Sequence, residues 1–374
     1  MRAVVLGGGY AGVVATTRLE AALPDDAEIL LVDEDGHHLV QHELHRVVRT
    51  PAFADAIEVP LADVVDRATV LEATVEGIDA EECRIDLASG HTLSYDAAIV
   101  ALGAVPAFYD IPGLRDHAIP LKRRAHAERI HAALADLAAD GGGSVVVGGA
   151  GLAGVQAAGE IAAFASDREA TIDVTLVEQQ SGVVPAFDDG FRDAVNDRLV
   201  DAGVDVRTGV RVESASESTV DTAVGTLAAD VLVWTGGIEG PAALAGERPT
   251  VRSDLALDHH TFVVGDAARA VDVDGEVATP SAQTAVGEAT VAATNVVRVL
   301  TSDPSNFRPR LDRYDYDPNG WVVSVGDAAV AAVGGRVLTG RSAKALKSTV
   351  GLTYLASAGA IAESVGVFRR EYGI

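Results

Sequence analysis

The chain has 374 residues, 48% of them apolar, which is enough for two or three domains with proper cores and too much for a disordered chain. Its 29 basic against 55 acidic side chains leave a net charge of −26, which argues against a nucleic-acid partner because phosphates need a basic surface. Cys83 is the single cysteine, so an internal disulfide, a two-cysteine redox relay and a multi-cysteine metal site are excluded.

Met1-Arg2 leads directly into an apolar strand ending at Leu6, with no secretory leader expected. The sequence Gly7-Gly8-Gly9-Tyr10-Ala11-Gly12 follows and opens a helix to about Leu23, closed by Pro24-Asp25-Asp26. A second strand, Glu28–Val32, ends at Asp33, which stands 21 residues after Gly12. From about Thr69 to Asp96 short alternating segments and turn residues predict antiparallel strands. Tyr95–Gly103 returns to the sheet, and Ile111-Pro112-Gly113-Leu114 reads as a crossover.

A second unit then begins with the strand Ser144–Gly148 and the turn Gly149-Ala150-Gly151-Leu152-Ala153-Gly154. A helix to about Ala165 and a strand Ile172–Val177 follow, with Glu178 standing 24 residues past Gly154. Further strands are predicted at Asp205–Arg207 and Asp230–Trp234. After Gly236-Gly237 come Thr261–Ala268, a helix from about Ser281 to Leu300, a small strand-rich unit from Asn306, and a helix from about Ser342 to Ala362. No uncharged apolar run reaches about 18 residues, so no bilayer span is expected.

The resulting expectation is an α/β chain with two Rossmann-like dinucleotide-binding domains, the second inserted in the first, and a small C-terminal α+β unit. The boundaries fall at 1–112 and 246–305 for the first domain, 113–245 for the second, and 306–374 for the C-terminal unit. Each glycine turn follows a strand, opens a helix and precedes an acid at the next strand end. Gly7 and Gly149 permit the tight turn, Gly9 and Gly151 let a pyrophosphate approach the backbone, and Gly12 and Gly154 allow close packing. The stretches Tyr10-Ala11 and Leu152 start the helices whose N–H groups would face phosphate. Asp33 and Glu178 would bind ribose hydroxyls, and Glu178 would repel a 2′-phosphate, favouring NADH over NADPH. Two dinucleotide sites imply two redox cofactors held face to face.

The turns and Tyr95–Gly103 resemble the two-dinucleotide-binding flavoprotein superfamily, with Leu102 where many members carry Thr. Within it the chain looks most like the type II NADH dehydrogenases. The resemblance is carried by Leu31-Val32-Asp33, His38-Leu39-Val40-Gln41, Ala101-Leu102-Gly103, His117-Ala118, Pro120-Leu121-Lys122, Val231–Gly237 and Pro280 with Ala282-Gln283-Thr284-Ala285. It covers about residues 1–300. The resemblance implies FAD at the first turn, with His38, Ala101, Gly103, Gly265, Asp266, Ala282, Gln283 and Thr284 around it, and NADH at the second, with Gly236 beside it. It further implies hydride transfer from NADH to FAD and two electrons passed to a quinone. Where relatives carry a Glu beside the nicotinamide, this chain has Gln156; Gln156 and Glu160 would orient that ring, and Gln283 would border the acceptor. Gly287-Glu288 replaces a pair of glutamines associated with quinone binding.

These departures keep two alternatives open. One is a soluble reductase of a non-quinone or protein acceptor such as a ferredoxin; the other is a non-catalytic flavin redox sensor. Lys344, Lys347 and Arg341 precede Val350–Leu355, a weak amphipathic segment compatible equally with packing on the first domain and with peripheral attachment to the inner face of the cell membrane, and a homodimer is also compatible with the sequence. The expected location is cytoplasmic. His37, His38, His42 and His45 cluster in sequence but lack a compelling set of metal ligands, so flavin-pocket or surface histidines are expected there and no metal. Cys83 is expected on a buried or half-buried strand, and Trp234 at a sheet end in the core. Lysine occurs only at Lys122, Lys344 and Lys347, and this acidic, Lys-poor composition resembles that of halophilic archaeal proteins, a reading favoured here over an acidic mesophilic protein from a GC-rich genome.

Overall fold

The computed structural model describes residues 1–303, 309–340 and 342–347. Apolar runs buried on both faces form two five-stranded parallel sheets, the pattern expected where helices cover both sides. The first sheet runs in the order Thr261–Val263, Ala97–Val100, Arg2–Leu6, Glu28–Asp33, Thr69–Glu72. The second runs Ala118–Pro120, Val231–Trp234, Gly143–Gly148, Ile172–Glu178, Asp205–Thr208. In both, the strand feeding the glycine turn is central, and the next two in sequence lie on one side. The second sheet sits, in sequence, between Ala97–Val100 and Thr261–Val263, so the insertion expected from the sequence is present. The chain enters and leaves it through Val105–Pro106 and Ile238–Glu239, which pair antiparallel.

Each unit also carries a small antiparallel sheet. In the first it comprises Val75–Asp79, Arg84–Leu87 and Thr92–Ser94. Thr69–Glu72, expected among those antiparallel strands, instead pairs in parallel with Leu30–Asp33 and extends the main sheet. The counterpart in the second unit, Val212–Ala215, Thr219–Thr222 and Gly225–Ala228, carries no strand in the sequence reading. Its strands are four residues each, too brief for periodicity to register. The helix Arg124–Ala139 was also missed, although Ala127, Ile130 and Leu134 mark its buried face. Cys83 is half-buried as expected, but it sits in the hairpin turn before Arg84–Leu87, at φ +49°, and not on a strand. Trp234 ends its strand in the core, its indole N–H donating to the Ala107 carbonyl at 2.7 Å.

Two features bring further chain to the space between the units. Residues 40–57 leave the first unit and bury Val40, Leu44, Val47, Val48, Phe53 and Ile57 in the core of the second, against Ile130, Val155 and Ile161. A C-terminal antiparallel sheet, Trp321–Val325, Ala328–Val333 and Arg336–Thr339, packs on the helix Leu152–Asp167 through Val323 and Val325. Gly159 allows this approach: a Cβ there would lie 2.5 Å from the Gly326 amide nitrogen and 2.7 Å from the Val325 Cα. Residues 342–347 are helical, as expected, and Val350–Leu355 lies outside the described residues. Among the described residues no helix is long and apolar enough to cross a membrane.

Candidate functional site: a cavity shared by two glycine turns

The strand–turn–helix pattern produces the same local geometry twice. Gly7 (φ +100°) and Gly149 (φ +95°) take a backbone conformation that side chains resist, and a Cβ on Gly12 or Gly154 would sit 1.7 or 1.8 Å from the carbonyl oxygen of that first glycine. The acid at the end of the next strand then fastens the turn. Asp33 Oδ2 accepts from the Gly8 N–H at 2.7 Å, and Glu178 Oε2 accepts from the Ala150 N–H at 2.8 Å. The second glycines behave differently. Gly9 and Gly151 have extended backbone (φ −72° and −69°), and a Cβ on either would meet nothing within 4 Å.

Both turns open into one cavity of about 1070 Å³. That exceeds the ~300–1,000 Å³ of ordinary single-ligand clefts. Three helix starts reach its wall, at Gly9–Ala11, Gly151–Ala153 and Ser281–Ala282, so three positive helix-dipole ends border one space. The cradle fits a dinucleotide pyrophosphate at each turn: open room lies beside the second glycine, and donors line the helix start. Of the expected residues, Gly7, Gly9, Tyr10, Ala11, Asp33, Ala101, Gly103, Gly151, Leu152, Gln156, Gly265, Asp266 and Ala282 lie on this wall.

The others stand behind it. His38 is buried, and its Nδ1–H donates to the Gly8 carbonyl at 2.9 Å, holding the first turn from below; burial keeps the ring neutral by lowering its pKa. Glu178 has both oxygens engaged, Oε1 accepting from the Gln180 N–H at 2.8 Å. Thr284 belongs to the helix cap, its N–H donating to Ser281 Oγ at 3.1 Å and its hydroxyl to the Thr279 carbonyl at 2.6 Å. Gln283 donates from Nε2 to the Gly320 carbonyl at 3.3 Å. Gly236 packs under the Trp234 ring, where a Cβ would come within 2.4 Å of it. Glu160 is buried one turn beyond Gln156 and faces Arg49 at 3.9 Å; burial raises its pKa.

Asp266 is set by Lys122, Arg248 and Glu288, of which the sequence had not singled out Arg248. Its carboxylate pairs with Lys122 Nζ at 2.8 Å. The Arg248 guanidinium donates to the carbonyls of Asp266 (2.6 Å) and Ala268 (2.7 Å), and Glu288 Oε2 accepts from the Gly265 N–H at 2.6 Å. The Gly287-Glu288 departure is thereby given a place. Glu288 fixes the Asp266 turn from inside, and a Cβ at Gly287 would touch the Tyr314 ring at 3.0 Å.

The four histidines are divided among separate partners. His37 Nδ1 lies 2.7 Å from the Asp35 carbonyl, His38 holds Gly8, His42 Nδ1 meets the Tyr10 hydroxyl at 2.5 Å, and His45 Nε2 meets the Ser324 hydroxyl at 2.9 Å. Around His45 the residues 40–57, the helix Leu152–Asp167, the C-terminal sheet and Lys347 converge on buried Glu43 and Ser324. Neither of those two was anticipated. Glu43 is flanked by histidines in sequence, and only the folding of its segment onto the second unit shows that it is buried.

The chain belongs to the pyridine nucleotide-disulphide oxidoreductase family, whose model matches residues 1–289. It is 27% identical over 387 residues to a type II NADH:quinone oxidoreductase of Staphylococcus epidermidis, an alignment covering 93% of this chain and 94% of that protein. Its fold matches NDH2 from Plasmodium falciparum in complex with NADH, at a TM-score of 0.83 and 14% identity over 100% of this chain and 98% of that one. It also matches the sulfide:quinone oxidoreductase of Aquifex aeolicus, at 0.80 and 18% identity over 100% and 96% of the two chains.

Replacing Glu178 is expected to weaken discrimination between the nicotinamide cofactors. Glu178→Ala removes the carboxylate beside the second turn and frees the Ala150 N–H for a phosphate. The ratio of kcat/KM for NADH over NADPH should fall ~10-fold, the value of one charge-assisted hydrogen bond. An unchanged ratio would show that Glu178 serves the turn alone.

Proposed function

We propose that this protein is an FAD-dependent NADH:quinone oxidoreductase, with FAD held at the Gly7–Gly12 turn and NADH entering at the Gly149–Gly154 turn. The observation that carries this reading is the single cavity into which both turns open, in a chain whose full-length relatives bear that name. The FAD supplies hydride acceptance and onward transfer of two electrons. The protein's part is positioning. The first turn and Asp33 would hold the adenosine half of FAD, and Asp266 its ribityl chain. Gln156, on the wall one turn into the second helix, would orient the nicotinamide with a neutral carboxamide. His38 and Arg248 keep the FAD-side turns rigid from behind.

The test is spectroscopic. Purified protein should carry bound flavin whose absorbance bleaches with NADH faster than with NADPH, and a short-chain quinone should restore it. Protein that binds no flavin, or flavin that NADH does not reduce, would refute the assignment. A second reading, a reductase of a carrier protein or other non-quinone acceptor, draws on Gln283 and Glu288: both are occupied with backbone partners and neither lines the cavity. Rapid dye reduction without quinone turnover would favour it.

The composition adds a proposal about surroundings. With 55 acidic and 29 basic side chains, self-repulsion is large at low ionic strength and screened in concentrated salt, as expected for a protein of a halophile. The denaturation midpoint should therefore rise steadily from 0.1 M to molar KCl. A flat or falling midpoint would identify an ordinary acidic protein.

A further inference from the structure

Catalysis by positioning leaves one chemical requirement unassigned. Reducing a quinone by NADH consumes a proton: NADH + H⁺ + quinone → NAD⁺ + hydroquinone. The C4–H bond of NADH breaks with its electron pair, two O–H bonds form on the acceptor, and only one of those hydrogens is matched by the hydride. Gln156 cannot supply the other, because a carboxamide has no acidic proton to give.

A group that can supply it stands on the same wall. Lys347 and Glu43 both line the cavity, and the Lys347 ammonium lies 3.7 Å from Glu43 Oε1. It donates to Ser324 Oγ at 2.8 Å. Ser324 in turn reaches His45 Nε2 at 2.9 Å, and the Gln156 amide nitrogen lies 3.4 Å from both His45 Nε2 and Ser324 Oγ. The directions of these bonds follow from the donors. Lysine and the amide nitrogen can only donate, and His45 hydrogen-bonds the His42 backbone, so its Nε2 carries the lone pair and the ring is neutral. The Lys347 ammonium therefore reaches His45 Nε2 both directly, at 3.3 Å, and through the Ser324 hydroxyl, which anchors it on one side while Glu43 faces it from the other.

The charges around this group come from every element packed on it. Residues 40–57 contribute His42 and Arg46, at 3.6 and 3.7 Å from Glu43, and Arg49; the helix Leu152–Asp167 contributes Glu160; the C-terminal sheet contributes Asp327 at its turn. Burial pushes the Lys347 ammonium towards losing its proton, opposed by Glu43 and Glu160. His45 is held neutral by burial and by the adjacent Lys347 and Arg46. A half-buried cation on the cavity wall, facing the Glu43 carboxylate with a neutral imidazole behind it, is a proton donor of the kind a reduced acceptor needs.

We propose that Lys347 is the acid that delivers this proton to the acceptor oxygen, with Glu43, Ser324 and His45 as positioning residues and His42 connecting Glu43 to the cavity for reprotonation. The inference rests on the quinone reading above, extending it to a named donor.

The decisive comparison uses two acceptors in the FAD-loaded protein, a short-chain quinone that takes up protons and ferricyanide, which takes electrons alone. Lys347→Met should lower quinone turnover by ~100-fold, the usual value of a positioned acid, while flavin bleaching by NADH and ferricyanide turnover stay near wild type. Lys347→Arg should restore little, since guanidinium does not release a proton near neutrality. Ser324→Ala, a smaller change, should give an intermediate loss and shift the pH profile of quinone turnover. Equal loss with both acceptors, or no loss with either, overturns the proposal. A readout independent of turnover is the ¹⁵N resonance of the His45 imidazole. It should report a ring that stays neutral through the usual imidazole range in the wild type and titrate at higher pH in Lys347→Met, once the neighbouring cation is gone. An imidazole that titrates identically in the two proteins also overturns it. Failure of the quinone reading has a different signature: the wild type then reduces ferricyanide and not quinone, while the His45 titration still judges the buried cluster.

Discussion

Gly9→Val should yield a folded protein that purifies without flavin, and Gly151→Val a flavin-bearing protein that NADH does not bleach. The two substitutions are expected to behave this way because of where the second glycine of each turn stands. Its backbone is extended, so a β-branched residue is not strained there, and a Cβ meets nothing within 4 Å. The fold thus has no need of glycine at these positions; under the proposed function the dinucleotide would. A valine side chain would fill the space through which, on that reading, a pyrophosphate reaches the helix N–H groups. Losing two such charge-assisted hydrogen bonds costs about 3–6 kcal/mol, or roughly 10²- to 10⁴-fold in affinity. The neighbouring first glycines provide the contrast. At Gly7 a Cβ would lie 2.3 Å from the Ala101 carbonyl oxygen at φ +100°, so Gly7→Val should fail to fold. Absorbance near 450 nm and a far-UV spectrum separate the cases. Gly9→Val retaining stoichiometric flavin would remove the first turn from the cofactor site.

Glu288→Gln should stabilise the protein, and increasingly so as pH rises. Burial pushes the Glu288 carboxyl up to about 8, with Asp266 adding to the effect, while the Gly265 N–H draws it down. In the unfolded chain the group titrates near ~4.3. Below that value both states are protonated and the group costs nothing. Between there and pH 8 the folded state binds the extra proton, so stability falls as pH rises, and above pH 8 the penalty is constant. By linkage it amounts to several kcal/mol, with ~5 kcal/mol as an upper figure. Glutamine keeps an oxygen for the Gly265 N–H and removes the charge. Urea midpoints at pH 4, 7 and 9 should coincide for the two proteins at pH 4 and diverge by pH 9. Parallel curves would show that Glu288 ionises freely in the fold.

The glycine turns and the strands around them were legible because their chemistry is local. A strand, three glycines at fixed spacing and a distant acid leave few other solutions, and the structure repeats that solution twice with Asp33 and Glu178 in matching places. The Gly265-Asp266 turn was also visible, through its resemblance to a later flavin motif. What the sequence hid lies in contacts between separated segments. Nothing in the run around Glu43 announces that Val47 and Val48 will pack on the second unit, and burial of Glu43 and His45 follows only from that packing. Ser324 is one serine among apolar strand residues, given meaning by Lys347 and His45. Gln283 and Thr284 were placed correctly on a helix start, but the faces they present were not readable from the motif, because a helix turns 100° per residue and the cavity occupies only part of its circumference. Glu160 shares the helix of Gln156 and illustrates the same limit, facing Arg49 and not the cavity wall.

The pairing of Thr261–Val263 with Ala97–Val100 has a bearing on the order in which the molecule is made. On the ribosome the first sheet lacks its outer strand until more than 150 further residues have emerged, and the turn carrying Asp266 comes later still. The inserted unit, whose strands all fall within that interval, can condense as soon as it is complete. Once folded it replaces a long flexible loop by a compact body whose two ends, Val105–Pro106 and Ile238–Glu239, already lie side by side. The entropy of closing the first sheet is thereby largely met before its last strand arrives. Flavin capture then falls at the end of assembly, and the nascent chain should bind nicotinamide cofactor before it can hold flavin.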